Sequence, residues 1–145
     1  MLIANNLTKK YGEKIALNNL NLNIKTGEIF ALLGQNGAGK TTTINCFLGF
    51  IKPTSGEATI HGVSVTNHSA ETKQYIAYIP ETVMLYPNLT GVENLAFFSS
   101  LANFNYSKAD LSSFLTKAGL QESAHHQAIK SYSKGMRQKV GIAIA

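Results

Sequence analysis

The sequence predicts an α/β fold in which an antiparallel β layer lies beside a strand–loop–helix core and a helical subdomain follows. Three observations carry this. Leu20-Asn21-Leu22-Asn23-Ile24 alternates strictly, as a strand does when one face is buried and the other wet. Ile29-Phe30-Ala31-Leu32-Leu33 is instead an unbroken apolar run, the pattern of a core strand covered on both faces. From Thr90 onward the periodicity turns from strands to helices.

In chain order, Leu2–Thr8 is expected as a first strand and Lys9–Lys14 as a polar turn region carrying one aromatic, Tyr11. Lys25-Thr26-Gly27-Glu28 turns the chain into the apolar run. A helix is expected from about Lys40 to Leu48, closed by Gly49. Pro53-Thr54-Ser55-Gly56 reads as a turn, Ala58–Ile60 as a short strand, and Tyr75–Ile79 as another strand stopped by Pro80-Glu81. Thr90-Gly91-Val92-Glu93 is a capping box, hydroxyl and carboxylate serving the exposed donors of a helix that should run to about Asn103. Ser107-Lys108-Ala109-Asp110 opens a second helix with Leu111, Phe114, Leu115 and Ala118 on one stripe and Gly119 as its stop. That stripe is expected in the core, not at a ligand. A third helix begins near Ser133 and is still running at Ala145. The organisation expected is one incomplete domain over 1–145. The β layer and core take about 1–89, and the helical subdomain about 90–145.

At 145 residues the chain is long enough to bury a real core. Thirteen Lys and Arg against eight Asp and Glu give a formal charge of +5. The positive charges are scattered, with a small cluster only at Lys130, Lys134, Arg137 and Lys139, so no nucleic-acid partner is expected. No run of about twenty apolar residues is present, and no basic segment precedes an apolar one at the start. A cytoplasmic location is expected. Cys46 is the only cysteine, which excludes an internal disulfide and suits a small buried side chain. His61, His68, His125 and His126 show no metal-site spacing, and adjacent His125 and His126 point apart on any regular element. Surface histidines are the expectation.

Gly34-Gln35-Asn36-Gly37-Ala38-Gly39-Lys40-Thr41-Thr42 follows the apolar run and fits G-x-x-x-x-G-K-[ST]. Glycines let the backbone curl so that successive N–H groups face a phosphate, and the following helix aims its positive end at the same anion. Lys40 would bridge the outer phosphates and the Thr41 hydroxyl would ligate the accompanying Mg2+. The plain alternative is a glycine-rich turn that happens to contain Lys-Thr. Apolar strand, eight-residue pattern and helix start coincide here, and that favours phosphate. Tyr11 sits upstream in a turn, where its ring can stack on a purine or simply pack.

Taken with Lys10-Tyr11-Gly12, Lys52-Pro53-Thr54-Ser55-Gly56-Glu57, the stretch from Tyr78 to Leu95 and Tyr132-Ser133-Lys134-Gly135-Met136, this loop resembles the ATP-binding subunit of ABC transporters over essentially the whole chain. The loop alone is shared by many NTPases; the Tyr132–Met136 signature downstream is far more specific. The resemblance implies a P-loop NTPase core with ATP and Mg2+ as cofactors. Two ATPase domains would sandwich two nucleotides, each held by the P-loop of one and the signature of the other. Ser133 and the close-approaching Gly135 backbone would meet the γ-phosphate. A transmembrane permease would follow the opening and closing, with the ATPase at the inner face of the membrane.

Three departures from the family pattern stand out. The magnesium-sensing position, usually Gln, is Glu81, which still offers an oxygen but adds charge. The signature reads Tyr-Ser-Lys-Gly-Met where Leu-Ser-Gly-Gly-Gln is commonest. Both variants look like the branch of drug and antibiotic exporters, so export is expected. Third, the only aspartate is Asp110, inside a helix pattern, whereas the family needs a strand-end Asp, a catalytic Glu and a switch His after the signature. No catalytic residue is therefore assigned. The core strands that would follow the signature are expected to be missing, with negligible hydrolysis by this chain alone and weak stability. The competing expectations are a non-catalytic nucleotide- or partner-binding module, and an ABC ATPase unconnected to transport.

Overall fold

The computed structural model describes residues 1–145, which divide into two compact units, Met1–Ile76 and Ala77–Ala145. Each has its own apolar core.

The first unit is built on a four-stranded antiparallel sheet of β1 (Leu2–Tyr11), β2 (Lys14–Ile24), β3 (Ser55–Ile60) and β4 (Val63–Ser64), in the order β2-β1-β3-β4. The expected turn over Lys9–Lys14 is tighter than the sequence suggests. Strands β1 and β2 pair from Leu2 opposite Ile24 up to Tyr11 opposite Lys14. Only Gly12 and Glu13 remain as the loop, Gly12 supplying a φ of +57°. Leu20–Ile24 alternates between half-buried and exposed as its pattern requires. The β1–β2 ladder shifts register between Ala4 and Leu7, where Asn6 adopts a φ of +47° and the Asn21 side chain accepts from its N–H at 2.9 Å. Helix α1 (Lys40–Phe47) lays Cys46 and Phe47 against Ala4, Leu7, Leu17, Ala58 and Ile60 of the sheet. Burial raises the Cys46 thiol pKa, with Lys9 opposing, so Cys46 is the inert core side chain expected. A single helical turn, α2 (Ser69–Thr72), follows β4.

Two expected strands do not form. Ile29–Leu33 and Tyr75–Ile79 have no strand pairing; Ile29 is fully exposed and Leu33 is 86 % exposed. A central strand needs a hydrogen-bonded neighbour along its edges. The antiparallel sheet of this unit is made from other segments, and neither run joins it as a strand.

The second unit is helical: α3 (Gly91–Leu101), α4 (Lys108–Lys117) and α5 (Lys134–Ile144). Its core joins Val92 and Leu95 of α3, Leu111 and Leu115 of α4, and Val140 of α5 with Leu120, Ala124, Ile129 and Tyr132 from the connections. The expected stripe is thus in the core, Leu111 and Leu115 fully and Phe114 partly. Both capping boxes are present, Thr90 with Glu93 and Ser107 with Asp110. The hydrogen bonds of its cap hold the Glu93 carboxyl below its ordinary pKa, with His126 and Lys108 adding to the effect. The surface expectation fails for one histidine. His125 is 3 % exposed, its Nε2 lying 3.2 Å from the Leu120 carbonyl oxygen, because the tight 3-10 turn at Glu122–Ala124 folds it inward. His126, its neighbour, is exposed, so the two do point apart. No helix is long and apolar enough to cross a membrane.

Candidate functional site

The Gly34–Thr42 loop ends on Gly39, the one loop position that is buried. Gly39 has a φ of +89°, and a Cβ there would lie 2.6 Å from the Ala16 carbonyl oxygen and 2.7 Å from Leu17 Cδ2. Only glycine satisfies both constraints, so the loop is pinned against β2 at its helix end. From there the chain enters α1 with no side-chain cap and no acidic residue in the first turn. The first N–H groups of a helix need partners from outside it, and here neither a cap nor a carboxylate competes with an anion for them. Thr43 is spent on structure, its Oγ1 donating to Gly39 O at 3.0 Å. Thr41 is exposed. The Lys40 ammonium folds back across the loop, donating to Gly34 O at 2.7 Å and Gln35 O at 2.9 Å. This places a fixed positive charge over the mouth of the curl.

The upstream part of the loop is held by little. Its one internal backbone bond runs from Ala38 N to Gln35 O at 3.1 Å, and Gly34 through Ala38 are all exposed. These residues fit a polyphosphate: a curled backbone, a helix end without a cap, one ammonium and one free hydroxyl for a Mg2+ ion carried in with it.

Tyr11 closes the β1–β2 hairpin and is about half exposed, with Lys9 Nζ 5.0 Å from its ring centroid. Its partner Lys14 lies two to three residues along β2 from the Ala16–Leu17 contact with Gly39, roughly 7–10 Å of strand. The structure therefore brings the aromatic end of the hairpin and the loop to one end of the sheet. No cluster of three or more His, Cys, Asp or Glu side chains could hold a metal ion alone.

Glu81, Ser133 and Gly135 belong to the other unit. Ser133 caps α5, its Oγ accepting from Met136 N at 3.3 Å while its own proton remains free to donate outward. Gly135 is exposed in the first turn, which carries no acidic residue. Tyr132, in place of the common Leu, is buried. Its hydroxyl donates to Ala124 O and sits where a side chain at Gly91 would be, a Cβ on Gly91 coming within 2.6 Å of it. Burial raises the tyrosine pKa, opposed by the Gly91 backbone. Tyr132 thereby fastens the signature to the start of α3. Glu81 is exposed, on a loop whose later part is anchored: Val83 packs on Gly141, where a Cβ would lie 2.8 Å from its Cγ2.

Sequence reasoning missed the anchor itself. Asn94 is fully buried on α3; its Oδ1 accepts from Tyr86 N at 2.8 Å and its Nδ2 donates to Tyr86 O at 3.1 Å and Thr90 O at 2.9 Å. Backbone bonds Ile129 N to Leu89 O and Lys130 N to Pro87 O, both 2.9 Å, then tie the same loop to the residues just before the signature. The available signal was an asparagine mid-helix, where its side chain ordinarily competes with the backbone.

The ABC transporter family profile matches residues 17–145, and the chain belongs to that family. It is 37 % identical over 147 aligned residues to the linearmycin resistance ATP-binding protein LnrL of Bacillus subtilis, covering all of this chain and 47 % of that protein. It is 40 % identical over 139 residues to the bacitracin transport ATP-binding protein BcrA of Bacillus licheniformis, covering 96 % of this chain and 45 % of the relative. The chain thus spans about half the length of these curated relatives. Among solved structures, a dimeric post-hydrolysis ATP-binding cassette bound to ADP and Pi matches with a TM-score of 0.81 at 31 % identity, over 99 % of this chain and 68 % of that one. An ATP-binding subunit of an ABC transporter matches with a TM-score of 0.81 at 32 % identity, over 100 % of this chain and 61 % of that one. The fold is that of an ABC ATPase cassette, the α/β P-loop class.

Proposed function

We propose that this chain binds Mg-ATP through Gly34, Gln35, Asn36, Gly37, Ala38, Gly39, Lys40, Thr41 and Thr42, with Tyr11 stacked on the adenine. Lys40 would take the outer phosphates, while the Thr41 hydroxyl would serve the magnesium. Ser133 and Gly135 would present a second phosphate-facing surface to the nucleotide of a partner ATPase domain. The observation that carries this is Lys40 poised over a curl of exposed backbone at an uncapped helix start. Magnesium supplies charge neutralisation when it is bound with the nucleotide.

In the complete protein, ATP binding and hydrolysis would power transport through a membrane permease, and export is the direction favoured. What supports export is the pair Glu81 and Tyr132–Met136, together with relatives whose names concern linearmycin resistance and bacitracin transport. Turnover by the present chain alone is not proposed. Its only aspartate is committed to the α4 cap, Asp110 Oδ2 accepting from Ser107 Oγ at 2.7 Å. Organisation into a β-layer and P-loop part over about 1–89 and a helical part over about 90–145 is retained as the functional division. The Ile29–Leu33 run, exposed at Ile29 and Leu33, is proposed to pair with a strand from outside this chain.

Photolabelling with an azido-adenine analogue of ATP tests the reading. Label should fall in the β1–β2 hairpin containing Tyr11 and be chased by unlabelled Mg-ATP. Label spread over both units, or indifferent to ATP, would overturn it.

A further inference from the structure

The loop carries chemistry that phosphate binding does not use. Asn36 is the only asparagine in the chain followed by glycine. Both residues are exposed, and no hydrogen bond engages the Asn36 side chain or the Gly37 N–H. Gly37 has a φ of +89°, and nothing lies within 4 Å of where its Cβ would be, so its backbone is unhindered on that side. The chain upstream is not fixed by a sheet, Ile29 and Leu33 being exposed and unpaired. Four of the other asparagines are engaged, Asn94 buried with three bonds and Asn6, Asn19 and Asn21 bonding one another and Thr8 across the β1–β2 ladder; the rest lack the glycine that follows Asn36.

We propose that Asn36-Gly37 is a site of spontaneous, self-catalysed deamidation, and that the product closes the phosphate cradle to nucleotide. The Gly37 backbone nitrogen attacks Asn36 Cγ. The new C–N bond forms as the Cγ–Nδ2 bond breaks, and the Nδ2 amine leaves as ammonia with the proton that the Gly37 amide gives up. Water then opens the five-membered imide at one of its two carbonyls, leaving aspartate or isoaspartate. Glycine is the residue that permits this, since a side chain on the attacking residue would obstruct closure and restrict the dihedral it needs. Either product puts a carboxylate into a loop whose other charge, Lys40, is there to meet phosphates. Like charge at that range weakens anion binding by about tenfold. Isoaspartate also lengthens the backbone of the curl. Protection follows from the same geometry. A bound phosphate engages the N–H groups of the curl, and the Gly37 nitrogen is then no longer a free nucleophile.

The experiment incubates the full chain in mildly alkaline buffer and maps its peptides by mass spectrometry over time, with and without Mg-ATP. Expected are a single-dalton gain and isoaspartate at position 36 ahead of every other asparagine, and loss of both in Asn36→Gln. No product at 36, or conversion spread evenly over the asparagines, overturns the proposal. Mg-ATP at about a hundred times its Kd should slow the reaction about a hundredfold if only the empty loop reacts. This arm alone rests on the nucleotide reading: rapid deamidation that ATP does not slow upholds the modification site and sinks the phosphate assignment. Asn36→Asp should bind ATP about tenfold more weakly; unchanged binding overturns the claim that the product closes the cradle.

Discussion

The two stretches proposed to face phosphate, the Gly34–Thr42 loop and the Tyr132–Met136 signature, are built in opposite ways. The loop is wedged at Gly39 on Ala16 and Leu17 and crossed by the Lys40 ammonium, and its leading apolar run, Ile29–Leu33, joins no strand. The signature is fixed from behind by a buried tyrosine, by Asn94, and by the backbone bonds from Ile129 and Lys130 to Leu89 and Pro87. One region is approached by a run that no strand supports. The other is rigid through contacts wholly within its own unit. The signature's supports, Leu89, Pro87 and Gly91, are distant in sequence but present in its own unit, whereas the run leading into the loop joins no sheet here.

The sharpest way to break this comparison is to truncate one leucine in each region. Leu115→Ala, at a fully buried position, should cost about 2–5 kcal/mol in urea unfolding of the helical unit. Leu33→Ala should change stability by no more than about 0.5 kcal/mol. Equal costs would mean the apolar run is packed after all.

A smaller effect sharpens the account of the signature. Asn94→Ala should cost about 1–3 kcal/mol, because it removes a fully buried amide and the bonds it makes to the Tyr86 and Thr90 backbone. Limited proteolysis should then cut within residues 81–89 faster than in the parent, and an unchanged cleavage rate would remove Asn94 as the anchor.

The smallest effect concerns acid. Glu93 has a folded pKa below its unfolded one, so its contribution is full above the ordinary carboxylate range and is lost as pH falls through the lower folded value. Glu93→Gln should lower the neutral plateau of the helical unit slightly and leave its low-pH stability unchanged, flattening the acid limb, as measured by circular dichroism. An acid limb identical to the parent would assign that dependence elsewhere.

What the sequence made legible was what is local. Capping at Thr90 and Ser107, the alternation of Leu20–Ile24, the stripe through Leu111 and Leu115, the stop at Gly49 and the loop itself all rest on residues within a turn or two of one another. Ile29–Leu33 misled because an unbroken apolar run reports what a segment needs, not whether a neighbouring strand pairs with it. Asn94 stood out as an asparagine within a helix pattern, but its partners, Tyr86 and Thr90, offer backbone groups that no side-chain pattern advertises. His125 was misread because a three-residue helical turn, not a regular element, sets its direction. The site residues were legible as a motif. Their support by Ala16, Leu17 and Gly91 was not.

The central claim is that Lys40 and the curled loop beneath it hold the phosphates of ATP. Isothermal titration of the full chain with Mg-ATP, beside the Lys40→Ala variant, tests it most directly. Removing a charge-assisted pair of bonds should cost about 1.5–3 kcal/mol, weakening a saturable ATP isotherm by roughly ten- to a hundredfold. No binding by the parent chain, or equal binding by parent and variant, would contradict the account.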